Sequence, residues 1–112
     1  MSRYDVIIIG AGPGGIFAAY ELAKKAPELK VAVFEAGNSL EKRKCPIDGK
    51  KIKSCINCKT CAIMSGFGGA GAFSDGKYNI TNDFGGTLYE YIGKDTAIDL
   101  MKYVDEINLL RR

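Results

Sequence analysis

The segment Tyr4-Asp5-Val6-Ile7-Ile8-Ile9-Gly10-Ala11-Gly12-Pro13-Gly14-Gly15 constrains this chain more than any other. Val6 to Ile9 is an unbroken β-branched run, the pattern of a parallel strand covered on both faces by helices. Glycines follow at once, and then a stretch of helical period. Gly10 permits a tight turn, Gly12 keeps the space beside the backbone free of a Cβ, and Gly15 lets the helix pack close to the strand. Pro13 falls where a helix tolerates proline best, in the first turn, and Gly14 adds a further bare main-chain position. The N–H groups of such a turn and the positive end of the helix dipole face a negatively charged ligand.

The spacing predicts a helix from Pro13 to Lys25, with Ile16, Ala19, Ala23 and Ala26 on one side and Pro27 ending it. Lys30 to Glu35 reads as a second strand beside the first, closing a right-handed β-α-β unit. Glu35 ends that strand twenty residues beyond Gly15, where a carboxylate accepts hydrogen bonds from ribose hydroxyls. An acid there also repels a 2′-phosphate, which argues against NADP in this half-site. Strand, turn, helix and acid together predict the site of a dinucleotide's pyrophosphate and adenosine.

Composition excludes other classes. Sixteen basic and thirteen acidic residues leave a net charge of +3, and no basic-aromatic interleaving points to nucleic acid. No apolar run approaches the length of a membrane span, and Arg3 and Asp5 flank the first apolar run without a signal-peptide pattern. A cytoplasmic protein with no membrane partner is the expectation. A doubly wound domain needs more strands than the two legible here, so 112 residues read as a truncated piece of a larger domain. The ending Leu109-Leu110-Arg111-Arg112, without a helix-stop signal, fits that reading.

From Glu41 to Lys59 seven Lys or Arg stand against two acids. Solvation explains most of them, with Lys42, Arg43 and Lys44 the candidates to lie near bound phosphates. Cys45, Cys55, Cys58 and Cys61 give the spacing C-x9-C-x2-C-x2-C. Three of them reproduce the opening of a bacterial iron–sulfur ferredoxin motif, although its Cys-Pro lies downstream and Cys45-Pro46 lies upstream. A four-thiolate zinc site, a redox pair of Cys55 and Cys58 near a flavin, and plain reduced cysteines stand as alternatives. No metal ligand is assigned from the sequence.

Ser65 to Lys77 is the second glycine-rich run. It is too poor in side chains for a packed helix or a strand, and its N–H groups suit close approach to a phosphate or the polar edge of a ring. Phe67 and Phe73 anchor it. A final helix is predicted from about Asp95 to Leu110, capped by Asp95 or Thr96, with Ala97, Leu100, Met101, Val104 and Ile107 on one face. Part of that face is expected to stay exposed and to favour association.

Gly10 to Gly15, Glu35-Ala36-Gly37, Cys45-Pro46 and the block from Cys58 to Asn82 resemble the N-terminal part of a largely uncharacterised family of FAD-dependent dehydrogenases, NAD(P)/FAD-dependent oxidoreductases of bacteria and archaea. Ser-Gly-Phe-Gly-Gly-Ala-Gly-Ala-Phe-Ser-Asp-Gly-Lys is the specific part. More distantly, Arg43-Lys44, Ser65 to Gly68 and Asn79 to Asn82 are similar to pieces of other two-dinucleotide flavoproteins, which extends a cofactor role to Lys44. Lys42 stands where those proteins carry a glycine.

The resemblance implies an α/β, partial Rossmann-like FAD-binding domain made of the βαβ unit, the glycine-rich loop and a C-terminal helix. It also implies FAD in extended form: adenosine at Glu35 and Ala36, pyrophosphate at Gly12 to Gly15, and isoalloxazine toward the Gly66–Gly71 segment, with Gly68, Gly69 and Ala70 as the candidate residues there. The parent enzyme would transfer hydride or electron pairs, with NAD(P)H as a possible second nucleotide. Its substrate, catalytic residues and oligomeric state lie outside this sequence, which has no histidine. This piece alone is expected to be inactive and to hold flavin weakly or not at all. The alternative from another class is a non-enzymatic iron–sulfur or zinc module built on a nucleotide-binding fold.

Overall fold

A computed structural model describes residues 3–110. These form two compact units, divided between residues 74 and 75, and each is described by itself.

In the first unit, strand β1 (Val6–Ile9) leads into helix α1 (Pro13–Lys25), and strand β2 (Val31–Phe34) follows. The two strands pair in parallel, Val6 opposite Val31 through Ile9 opposite Phe34. The connection is the βαβ crossover expected from the strand–glycine–helix pattern. α1 begins at Pro13 because proline's missing N–H costs nothing there. It ends at Ala26, whose N–H donates to Leu22 O, before Pro27. Lys24 and Lys25 sit in its last turn, where cations suit the helix dipole, and Lys25 pairs with Glu21.

β2 is shorter by one residue at each end than the sequence pattern. Lys30 turns its carbonyl to the N–H groups of Asp5 and Val6, and Glu35 leaves the ladder to bond the glycine turn. The expectation that β1 is covered on both faces does not hold within this chain. Its side chains alternate between half-buried and exposed, with Ile7 at 57% and Ile9 at 81% exposure. α1 lies against the sheet, and no other helix among the described residues makes comparable contact with it. With two strands and one helix, this unit encloses little: among its described residues Ala11 is the buried hydrophobic one.

Beyond β2 the chain makes two short 3-10 turns, at Leu40–Lys42 and Ala70–Phe73. The second lies within the glycine-rich run predicted to lack helix. A single tight turn asks little of side-chain packing, which is how alanine and glycine form it.

The second unit is a helical pair, α2 (Leu88–Ile92) packed on α3 (Lys94–Leu109). The short α2 is absent from the sequence reading. Gly93, at φ +84°, closes α2 and opens α3, a left-handed conformation that glycine adopts without a Cβ penalty. α3 therefore starts at Lys94, and neither Asp95 nor Thr96 caps it. Of the predicted face, Ala97 is buried and Met101, Val104 and Ile107 are half-buried, while Leu100 is exposed. Arg111 and Arg112 of the predicted chain ending lie outside the described residues. No helix among the described residues is long and apolar enough to cross a membrane.

Candidate functional site

The glycine turn is built as its sequence requires. Gly10 has φ +96°, and its N–H donates to Phe34 O at 2.7 Å, bending the chain off the end of β1. A Cβ on Gly15 would overlap Gly10 O and stand 3.2 Å from the Ile8 side chain, so only glycine lets α1 sit this close to β1. Gly12 and Gly14 differ. A Cβ built on either meets nothing within 4 Å, and Gly12 has an ordinary extended backbone. Their lack of side chains leaves space where α1 begins, and the first-turn N–H groups there have no intrahelical acceptor.

Glu35 closes the site from the end of β2. Its Oε2 accepts the Ala11 N–H at 2.8 Å, and its Oε1 accepts the Gly37 N–H at 2.7 Å. The acid thus ties the glycine turn after β1 to the turn after β2. The Ala11 bond, the Gly37 bond and the Arg43 charge hold its pKa below the ordinary carboxylate value. A carboxylate offers about four acceptor positions. Two are used, so Glu35 retains the capacity to accept sugar hydroxyls that the sequence assigns to it.

The second glycine-rich run lies directly on this turn. Gly68 N–H donates to Ala11 O at 2.8 Å, and a Cβ on Gly69 would stand 3.2 Å from Gly12 Cα and from Pro13 Cδ. Gly37 and Gly66 touch backbone to backbone: a Cβ on Gly37 would lie 2.5 Å from Gly66 Cα. The result is a cleft of about 330 Å³ lined in part by Gly12, Glu35, Ala36, Gly37, Gly66 and Gly69. Small-ligand sites run from about 300 to 1,000 Å³. This volume suits one half of a dinucleotide rather than a whole one.

The structure therefore brings Gly12, Glu35, Ala36 and Gly69 into one cleft, with Gly10, Pro13, Gly14 and Gly15 forming the turn beside it. Gly68 and Ala70 support that wall without lining the cleft, Gly68 through its bond to Ala11 and Ala70 as the start of the second 3-10 turn. Lys44 is exposed and is no part of the lining.

Arg43 corrects the sequence reading most sharply. Placed there among solvated lysines near phosphate, it is instead 3% exposed. Its Nε donates to Ala62 O, its Nη1 to Phe67 O and Gly69 O, and its Nη2 to Ile63 O, at 2.6 to 2.9 Å. The guanidinium also stacks 4.8 Å from the Phe73 ring. A glycine-rich loop leaves its carbonyls without partners of its own, and a five-donor planar side chain can collect several at once. That need was the available signal for Arg43; its neighbours Lys42 and Lys44 mask it.

The four cysteines are reduced and exposed, and all four line a separate pocket of about 230 Å³ with Pro46, Ile47, Ile56, Asn57 and Ala62. In the second unit, the Asn79–Asn82 stretch leads into a turn at Asn82 and Asp83, where Thr81 bonds Asp83 and Asn82 Nδ2 donates to Lys94 O.

Fold and cleft together are those of a small α/β unit with a parallel βαβ crossover, compatible with a partial nucleotide-binding fold. Comparison with known proteins reaches the same level. The profile of the Thi4 family matches residues 1–41, the stretch from β1 past the end of β2. A thiamine thiazole synthase of Yarrowia lipolytica is 64% identical over 33 residues, 30% of this chain and 10% of that protein. One from Phaeosphaeria nodorum shows the same identity over the same length. An uncharacterised protein of Clostridium beijerinckii is 39% identical over 71 residues, 63% of this chain and 13% of that protein. The matched region thus spans about a tenth of the length of these relatives. No solved structure gives a significant match.

Proposed function

We propose that this chain is the adenosine- and pyrophosphate-binding part of an FAD-dependent oxidoreductase. One observation carries the reading: Glu35 bridges the two turns, with open space beside Gly12 at the start of α1. That arrangement offers an acid for a ribose and unpaired N–H groups for a diphosphate in one cleft. Gly12 to Gly15 would hold the pyrophosphate, Glu35 the ribose, and the Gly66–Gly69 wall would face the flavin-bearing half. FAD supplies hydride and electron-pair chemistry when bound; these residues supply binding and orientation.

The family match supports the nucleotide site rather than a particular reaction. The likeness to thiamine thiazole synthases covers about 30% of the chain, and the family profile matches residues 1–41, which hold the βαβ crossover. The likeness to the Clostridium protein runs over about twice that length. Hydride transfer, and NAD(P)H as the reductant, remain the finer part of this reading and rest on the family resemblance of the whole chain.

Ligand competition tests it. FAD is titrated against the full chain by fluorescence, with ADP and FMN as competitors. Displacement by ADP and not by FMN is expected, because the cleft takes the adenosine half. Displacement by FMN and not by ADP would remove the proposal.

A further inference from the structure

The second pocket has no part in the nucleotide cleft. Its lining includes every cysteine of the chain, three of them within seven residues. Arg43 holds the two ends of the cysteine loop together: Cys45 is two residues beyond it, and its Nε bonds the carbonyl of Ala62, next to Cys61. Between these ends, Asn57 takes a left-handed conformation at φ +52°, rare for a residue with a side chain. Its N–H donates to Cys55 Sγ at 3.4 Å, so the turn carrying Cys55 and Cys58 curls around a sulfur atom. N–H donors to sulfur are a means by which proteins tune thiolate-bound centres.

Among the described residues, no three Cys, His, Asp or Glu side chains stand close enough to hold a single metal ion. A zinc ion with Zn–S bonds of about 2.3 Å draws its four sulfurs to within about 4 Å of one another. Four thiols instead line one shared space of about 230 Å³, and four cysteines are the donor set of a cuboidal iron–sulfur cluster. Charge agrees. Four thiolates around a [4Fe–4S]²⁺ core leave a net charge of about −2, and the loop from Glu41 to Lys59 carries seven Lys or Arg against two acids.

We propose that Cys45, Cys55, Cys58 and Cys61 are the four ligands of a [4Fe–4S] cluster. Each thiol releases one proton on ligation and contributes one Fe–S bond. The site is separate from the flavin cleft and stands or falls independently of it.

The full chain is reconstituted anaerobically with sulfide and equal amounts of ferrous and ferric iron, the oxidation states of a [4Fe–4S]²⁺ core, then desalted and assayed for iron, acid-labile sulfide and zinc. Equal retained iron and sulfide, with broad visible absorption bleached by dithionite, is the expected result. Each of Cys45→Ser, Cys55→Ser, Cys58→Ser and Cys61→Ser should lose most of both, while Ser54→Ala retains them. Far-UV circular dichroism and FAD binding of each variant show whether it still folds. Stoichiometric zinc without sulfide, four freely alkylated thiols with no retained iron, or a full cluster in any one folded cysteine variant would each overturn the proposal.

Discussion

Replacing Arg43 with methionine keeps an unbranched side chain of similar reach and removes all five donors. Four hydrogen bonds disappear, to the carbonyls of Ala62, Ile63, Phe67 and Gly69, together with the stacking on Phe73. A hydrogen bond from a charged donor contributes about 1.5 to 3 kcal/mol, and bonds made by one group are not additive. These carbonyls belong to a loop near the surface and can recover water once freed. A net loss of about 3 kcal/mol from the local stability of residues 62–73 follows. At about 1.4 kcal/mol per tenfold, that is about two orders of magnitude in hydrogen exchange for the N–H groups of Phe67 and Gly68. Those amides bond to Asn38 O and Ala11 O, so they report on contact between the loop and the glycine turn. Arg43→Lys should recover part of the protection, because an ammonium cannot reach four carbonyls in one plane. Exchange in Arg43→Met within a factor of about three of the parent would refute the assignment of Arg43 as the organiser of this wall.

Other consequences are as specific. Gly15→Ala places a Cβ onto Gly10 O, a backbone atom that cannot rotate away, and should cost about 3 kcal/mol in urea unfolding; a neutral result would mean α1 sits farther from β1. Glu35 has a depressed folded pKa, so its bridge is complete above the unfolded value and is lost as pH falls through the folded one. The Ala11 and Gly37 amide resonances should therefore titrate together, with an inflection below the ordinary glutamate value, and Glu35→Gln should abolish it. Glutamine can accept only one of the two N–H groups through its single carbonyl oxygen, and should also weaken FAD binding by about tenfold. Unchanged amide titration or unchanged affinity would separate Glu35 from the site.

The first forty residues were legible because their constraints are local. A β-branched run, a proline at N1 and a glycine whose Cβ would strike a carbonyl each act within about ten residues, and β1 and α1 have the bounds the sequence predicts. The role of Glu35 was half legible: its position follows from spacing, but its bonds to Ala11 and Gly37 depend on where β2 leaves the sheet. Arg43 was misread because composition shows a basic loop, not which cation turns inward. The Gly37–Gly66 contact and the packing of Gly69 on Gly12 join segments far apart in sequence, and nothing local in either segment requires them. α2 was missed since five residues carry too little periodicity, and Gly93 splits the helical pattern into two.

The most direct measurement is FAD affinity in Gly12→Val. Gly12 has an ordinary extended backbone and open space where a Cβ would stand, so valine should cost the fold no more than about 1 kcal/mol as a poorer N-cap. The same side chain would occupy the space assigned to the pyrophosphate. Parent-like circular dichroism and urea midpoint, with FAD binding reduced at least about a hundredfold, is the expected result. A folded Gly12→Val chain that binds FAD as the parent does would contradict the nucleotide site itself.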